Sequence, residues 1–171
     1  MHKVEQAIAD LRQGKMILLL DDEGRENEGD LIKAGEFITA DDIVFMLQST
    51  CGIICLAMSA AHCERLRIPM MTSDNRSNQT TPFGVSFEAA DGITTGVSAS
   101  DRAKSIRVAA NSNASPADIV MPGHVFPLRA NSKGVFARRG HTEGSVDLMR
   151  LAGLTEAAVI CEVMNADGSM A

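Results

Sequence analysis

Apolar residues at Val4, Ala7, Ile8 and Leu11 recur at helical spacing, and Gly14 stands where a helix commonly ends. The chain is therefore expected to open with a short amphipathic helix. The unbroken run Met16 to Leu20 reads as a strand buried on both faces, and Leu31 to Ala34 as a second short strand. Thr39-Ala40-Asp41-Asp42 supplies an N-cap for a helix turning Ile43, Met46 and Leu47 inward. Gly52 to Met58 reads as another apolar strand, and Ser59 starts a helix with Cys63 and Leu66 on its inner side. Strand followed by helix thus occurs more than once.

The pattern breaks between Pro69 and Phe83, where turn-forming polar residues follow neither period. A loop this long in a small domain is either a mobile functional segment or disordered, and of the two the functional reading is favoured, with Thr72 to Thr81 acting as a lid. Val85 and Phe87 alternate with Ser86 and Glu88, Asp91-Gly92 turns, and Thr94 to Ser98 completes the pattern of a hairpin. Its second arm, rich in hydroxyls and glycine, has the composition of a phosphate cradle. Helices are expected at Arg102 to Ala110 and after Ser115-Pro116-Ala117-Asp118, where Pro occupies the first helical position. Pro122 to Pro127 reads as a rigid turn around His124. A helix should run from about Thr142 to Leu151, and Ala158 to Met164 should form a buried strand containing Glu162.

Composition narrows the function classes. A chain of 171 residues holds one ordinary domain with a real core. With 16 basic against 22 acidic residues, the net charge of −6 argues against nucleic acid as a partner, and the absence of Trp and Tyr removes the usual platforms for stacking bases. No apolar run approaches a membrane span and the first residues lack a signal-peptide core, so a cytoplasmic protein with no membrane partner is expected. Cys51, Cys55, Cys63 and Cys161 lack paired C-x-x-C spacing, so reduced and mostly buried thiols are expected rather than a zinc site or disulfides.

Against this background one stretch stands out. Asp21-Asp22-Glu23-Gly24-Arg25-Glu26-Asn27-Glu28-Gly29-Asp30 gathers six carboxylates around one arginine directly after a strand. A solvated acidic loop is the ordinary reading of such a run. The two glycines, the lone arginine and the sheet edge favour instead a hard-oxygen site for Mg²⁺ holding an anionic substrate, because carboxylates this crowded repel unless a cation joins them. His124 and His141 both follow glycines at element boundaries, where an imidazole serves either structure or chemistry. Glu162, in an otherwise apolar strand, must be paired with a cation or held for proton transfer.

Taken with Gly92 to Asp101, Pro122-Gly123-His124-Val125-Phe126-Pro127-Leu128-Arg129, Arg139-Gly140-His141-Thr142-Glu143 and Cys161-Glu162, the acidic stretch resembles the 3,4-dihydroxy-2-butanone 4-phosphate synthases of riboflavin biosynthesis. The resemblance runs in the family's order over nearly the whole chain. It implies an α+β (mixed α/β) fold, a mixed β-sheet with helices packed on both faces, as a single domain over residues 1–171. That domain would end before the family's usual C-terminus and carry no fused GTP cyclohydrolase half. The implied activity is a lyase converting D-ribulose 5-phosphate to L-3,4-dihydroxy-2-butanone 4-phosphate and formate with Mg²⁺, Mn²⁺ being an alternative metal. Carried over by position, Glu26 and His141 resemble the metal ligands. Arg25, Glu26, Asp30, Arg138, Arg139, Gly140, His141, Thr142 and Glu162 resemble the substrate contacts. His124 and Glu162 resemble the residues essential for the chemical steps, with Cys55 and Thr95 as secondary candidates for the pocket. A homodimer with sites near the subunit interface is implied as well. Two other classes compete: another Mg²⁺-dependent sugar-phosphate isomerase or aldolase, and a non-catalytic nucleotide-binding domain of similar architecture.

Overall fold

The computed structural model describes residues 2–22 and 24–171, so Glu23 of the acidic segment lies outside the described residues. Eleven elements organise them: α1 (His2–Arg12), β1 (Ile17–Leu20), β2 (Gly29–Ala34), α2 (Ala40–Ser49), β3 (Cys55–Met58), α3 (Ala60–Arg65), β4 (Phe87–Ala89), α4 (Ala99–Ala110), β5 (Ile119–Arg129), α5 (His141–Ala152) and β6 (Ala157–Glu162). The six strands form one mixed sheet in the order β1-β2-β6-β3-β5-β4. Neighbours run antiparallel except β3 and β5, which pair in parallel with Cys55 opposite Phe126.

Helices cover both faces, which explains why the central strands are apolar without alternation. Cys55, Ala57, Ala158 and Ile160 turn toward Leu11 of α1 and Val146, Met149 and Ala152 of α5. Leu56, Met58, Val159 and Cys161 turn the other way, onto Ile43 and Met46 of α2 and Ile106 and Ala109 of α4. Local signals place these helices. Thr39 and Asp42 cap α2 reciprocally, Ser59 and Ser98 accept from the first turns of α3 and α4, and α5 ends at Gly153 in the left-handed region. Arg12 Nε donates to the Ala152 carbonyl at 2.8 Å and ties α1 to the end of α5.

Five expectations fail. The run containing β1 is not buried on both faces: β1 is an edge strand whose burial alternates, Ile17 and Leu19 packing against the core while Leu18 and Leu20, on the opposite face, are 55% and 68% exposed. Leu47 stays 38% exposed, while Ile43 and Met46 do turn inward. The hairpin between Val85 and Ser98 does not form. β4 pairs with β5 instead, because the backbone N–H groups of Thr94 and Gly96 donate to the Asp101 carboxylate and are lost to any ladder. Ser115 to Asp118 opens no α-helix: Pro116–Asp118 makes one turn, and the chain then runs as β5 through the segment read as a turn. A trace of that turn remains. Phe87 pairs with Val125 but Glu88 with Val120, so residues 121–124 bulge out of the ladder and carry His124 with them.

Candidate functional site

The acidic segment joins β1 to β2 and folds around Asp21. Its carboxylate accepts from Arg25 Nη1 at 2.7 Å and from the backbone N–H groups of Glu26 (3.2 Å) and Glu28 (2.9 Å). Arg25 also meets Glu26 at 2.5 Å. The loop closes through Asn27 in the left-handed region (φ 55), a conformation asparagine tolerates better than most residues. Beyond it, the antiparallel register of β2 with β6 sets Asp30 opposite Glu162. His141, the first residue of α5, completes the group: among the described residues, Asp21, Glu26 and His141 each present a ligand atom within 4.8 Å of the others.

This end of the molecule is short of positive charge. Asp30 is 1% exposed, and burial followed by the carboxylates of Glu162, Glu28, Glu26 and Asp21 pushes its carboxyl up to about 8. Burial, with Glu26, Glu162 and Asp21, also raises Glu28. Asp21 goes the other way: burial is its largest single influence and raises it, but the hydrogen bonds from Glu28, Arg25 and Glu26 together hold it below the usual carboxylate range. Burial, joined by the nearby Arg25, lowers the His141 imidazole and favours the neutral ring, while the carboxylates of Asp21 and Glu26 oppose it. His141 Nδ1 lies 3.3 Å from Asp30 Oδ1. Among the described residues, buried His141 Nε2 and Asp30 Oδ1 have no hydrogen-bond partner. Buried polar atoms without partners are costly, and here they sit beside a group able to hold a metal.

A polar cavity opens against this group. Arg25, Glu26, Asp30, Arg138, His141, Thr142 and Glu162 all line it, so the fold gathers seven of the expected site residues from three parts of the chain. Arg139 and Gly140 line an adjoining cavity of about 240 Å³ with Asp21, Asp22 and His141. Arg138 is held in place: Nη1 donates to buried Glu143 at 2.8 Å, and Nη2 reaches the Gln79 carbonyl at 3.3 Å. Gly140 caps α5 without a side-chain bond, which leaves the N–H groups of that helix's first turn facing the site. A side chain there would meet Arg138, since a Cβ would stand 2.3 Å from Nη1. Glu162 ends β6, partly buried, and accepts from the Ile53 N–H at 3.1 Å. His124 lines neither cavity. Its Nδ1 pairs with Glu88 at 2.7 Å instead. Cys55 is buried in the sheet, with its thiol pushed up mainly by burial, and Thr95 is exposed in the loop before α4.

The family model for 3,4-dihydroxy-2-butanone 4-phosphate synthase matches residues 5–171. The chain belongs to this family. It is 53% identical over 171 residues to the 3,4-dihydroxy-2-butanone 4-phosphate synthase of Pseudomonas aeruginosa and 54% identical over 169 residues to that of Vibrio cholerae. All of this chain matches the first, which it covers to 47%, and 99% of it matches the second, which it covers to 78%. The fold agrees with a two-domain synthase from A. baumannii (TM-score 0.94, 48% identity), over 98% of this chain and 49% of that one. It also agrees with a synthase in complex with two magnesium ions (TM-score 0.91, 40% identity), over 96% of this chain and 79% of that one. This chain therefore spans about half the length of the P. aeruginosa and A. baumannii proteins.

For a member of the synthase family, the residues at the acidic end suit a hard divalent cation. Asp21, Glu26 and His141 together offer carboxylate oxygens and an imidazole nitrogen, a mixed donor set, His141 Nε2 is buried without a partner, and a cation would relieve the crowding that raises Asp30. Reading the residues one by one missed several groups. Asp21 was one carboxylate among six, and only the folded loop sets it apart. Glu28 and Thr81 line the cavity, Glu143 holds Arg138, and Glu88 holds His124. Glu143, two residues after His141, carried no signal of its own in the sequence, because an acid in the first turn of a helix is ordinary; only the fold shows that it is buried.

Proposed function

We propose that this chain converts D-ribulose 5-phosphate to L-3,4-dihydroxy-2-butanone 4-phosphate and formate, an Mg²⁺-dependent lyase step of riboflavin biosynthesis. The observation that carries the reading is the meeting of Asp21, Glu26 and His141 beside a cavity that also presents Arg138 and the uncapped start of α5. Glu26 and His141 would hold the cation, and Asp21 would orient Arg25 and the backbone of the loop around it. Bound there, Mg²⁺ supplies a Lewis acid toward the sugar's carbonyl and hydroxyl oxygens, and Mn²⁺ has the same capacity.

The chain's own groups cover the remaining tasks. Arg138, with the Gly140–Thr142 backbone at the helix start, suits the ester phosphate through charge-assisted bonds, and Glu143 keeps the guanidinium aimed. Arg25, Asp30 and Arg139 suit the sugar's polar edge. Glu162, with one oxygen fixed by the Ile53 N–H, keeps the other for a proton in transit. Thr81 and Gln79 bring the polar loop to the cavity rim, where closure would exclude water. His124 is the second proton carrier, and its position outside the cavity supports a homodimer in which it serves the site of a second copy. Exposed Val97, Val120 and Met121 beside it support the same reading.

The test is incubation of the purified protein with ribulose 5-phosphate, with and without Mg²⁺, with formate measured. One formate per substrate consumed, only with the cation, is expected. Isomerised or cleaved sugar without formate would replace this reading by another sugar-phosphate enzyme, and absence of any turnover would leave a binding domain.

A further inference from the structure

The pair Glu88 and His124 lies apart from the acidic end, and its geometry fixes something the site itself does not: which imidazole nitrogen is free. Glu88 Oε2 lies 2.7 Å from His124 Nδ1. An ionised carboxylate has no proton to give, so the bond requires the hydrogen on Nδ1 and leaves the lone pair on Nε2. The surroundings hold both partners at that separation. Gly123 packs so closely against β4 that a Cβ would stand 2.2 Å from the Phe87 carbonyl carbon, which pins the bulge to the strand bearing Glu88.

On the other side, Gly96 lies directly over the pair. A Cβ there would stand 2.1 Å from Glu88 Oε2 and 2.5 Å from His124 Nδ1, and its φ of +86 already requires glycine. That loop is fixed in turn by Asp101, a buried residue whose carboxylate accepts from the Thr94 N–H and hydroxyl and from the Gly96 N–H. The Thr- and Gly-rich segment, read from composition as a phosphate cradle, thus forms the wall behind a carboxylate–imidazole dyad.

We infer that Glu88 is the positioning residue for His124. It sets the ring tautomer and orientation so that Nε2 faces outward as the proton acceptor, and it stabilises the imidazolium that forms when Nε2 takes a proton. The part played by His124 in turnover rests on the proposed function; the tautomer does not.

Two measurements on wild type, Glu88→Gln and Glu88→Asp test this. Ring nitrogen NMR of the full chain should show His124 with its proton on Nδ1 in the wild type and a shift away from that tautomer in Glu88→Gln. Formate production should show kcat reduced about 10- to 100-fold in Glu88→Gln with KM nearly unchanged, and a smaller reduction in Glu88→Asp, which keeps the carboxylate. A wild-type ring protonated on Nε2 instead would overturn the inference. So would a Glu88→Gln variant turning over within about twofold of an active wild type. If the wild type releases no formate, the proposed function fails, and the ring tautomer alone decides whether Glu88 positions His124.

Discussion

The two ends of this sheet treat carboxylates in opposite ways. At the His124 end each buried or half-buried acid has its donors: Asp101 accepts from the Thr94 and Gly96 backbone and the Thr94 hydroxyl, and Glu88 accepts from the imidazole. At the acidic end Asp21, Glu26, Glu28, Asp30 and Glu162 crowd together, Asp30 Oδ1 and His141 Nε2 find no partner among the described residues, and Arg25 answers only Asp21 and Glu26. Both ends are built from similar residue types. What differs is the supply of N–H and O–H groups, and a fold that leaves acids unsatisfied at one place while satisfying them at another marks where a cation is needed.

That contrast can be broken most sharply at the metal group. Glu26→Gln or His141→Ala should lower formate production by roughly 10²- to 10³-fold or more, the scale lost when a preorganised electrostatic group is removed. Their melting temperatures should stay close to wild type. Near-normal turnover of either variant at low Mg²⁺ would remove these residues from the metal site. Glu162→Gln comes next, with an expected loss on the order of 10²-fold in turnover and little change in substrate affinity or stability. A destabilised Glu162→Gln protein with normal turnover per folded molecule would make that residue a structural acceptor for the Ile53 N–H instead.

Arg138→Ala should weaken binding of ribulose 5-phosphate by about 1.5 to 3 kcal/mol and abolish its preference over unphosphorylated ribulose. Calorimetry with both sugars checks this, and an undiminished preference for the phosphate would place the ester elsewhere. The titration of Asp30 gives a subtler test. In the metal-free protein its carboxyl sits at about 8, so at pH 7 it is mostly protonated, and a bound cation favours the ionised form. Mg²⁺ binding at pH 7 should therefore release a proton. Affinity should rise by up to about tenfold per pH unit until pH 8 and then level off. Calorimetry in buffers of different ionisation enthalpy measures the release, and Asp30→Asn should eliminate it. The smallest effect is expected in the loop from Thr72 to Thr81: its hydrogen exchange should slow when Mg²⁺ and a substrate analogue bind together, and exchange equally fast in both states would make the loop a bystander.

Much of this was legible in residue order. The stripe of α1 and its Gly14, the caps at Thr39, Ser59 and Ser98, and the apolar runs of β3 and β6 are local features, and local features survive folding unchanged. The misreadings share one cause. Met16 to Leu20 is apolar enough for a central strand, yet β1 lies at the edge, and whether a neighbour covers it is decided by chain far away. Thr94 to Ser98 has the turn before it that a hairpin needs, but Asp101, reaching back from the start of α4, takes its donors.

The sequence by itself determined the family, the mixed fold with helices on both faces, and the segments that meet at the candidate site, because motif order and hydrophobic period are properties of the chain. Only the tertiary structure decided which acids are partnered. Asp21 and Asp30 are the same residue type nine positions apart, yet donors from the folded loop hold one below the usual range, while burial opposite Glu162 drives the other to about 8. The same holds for the histidines: His141 is left with an unpartnered nitrogen beside acids, and His124 is claimed by Glu88, 36 residues earlier in the chain. Proton affinity depends on distance, burial and available hydrogen-bond donors, and those quantities exist only once distant segments have packed together.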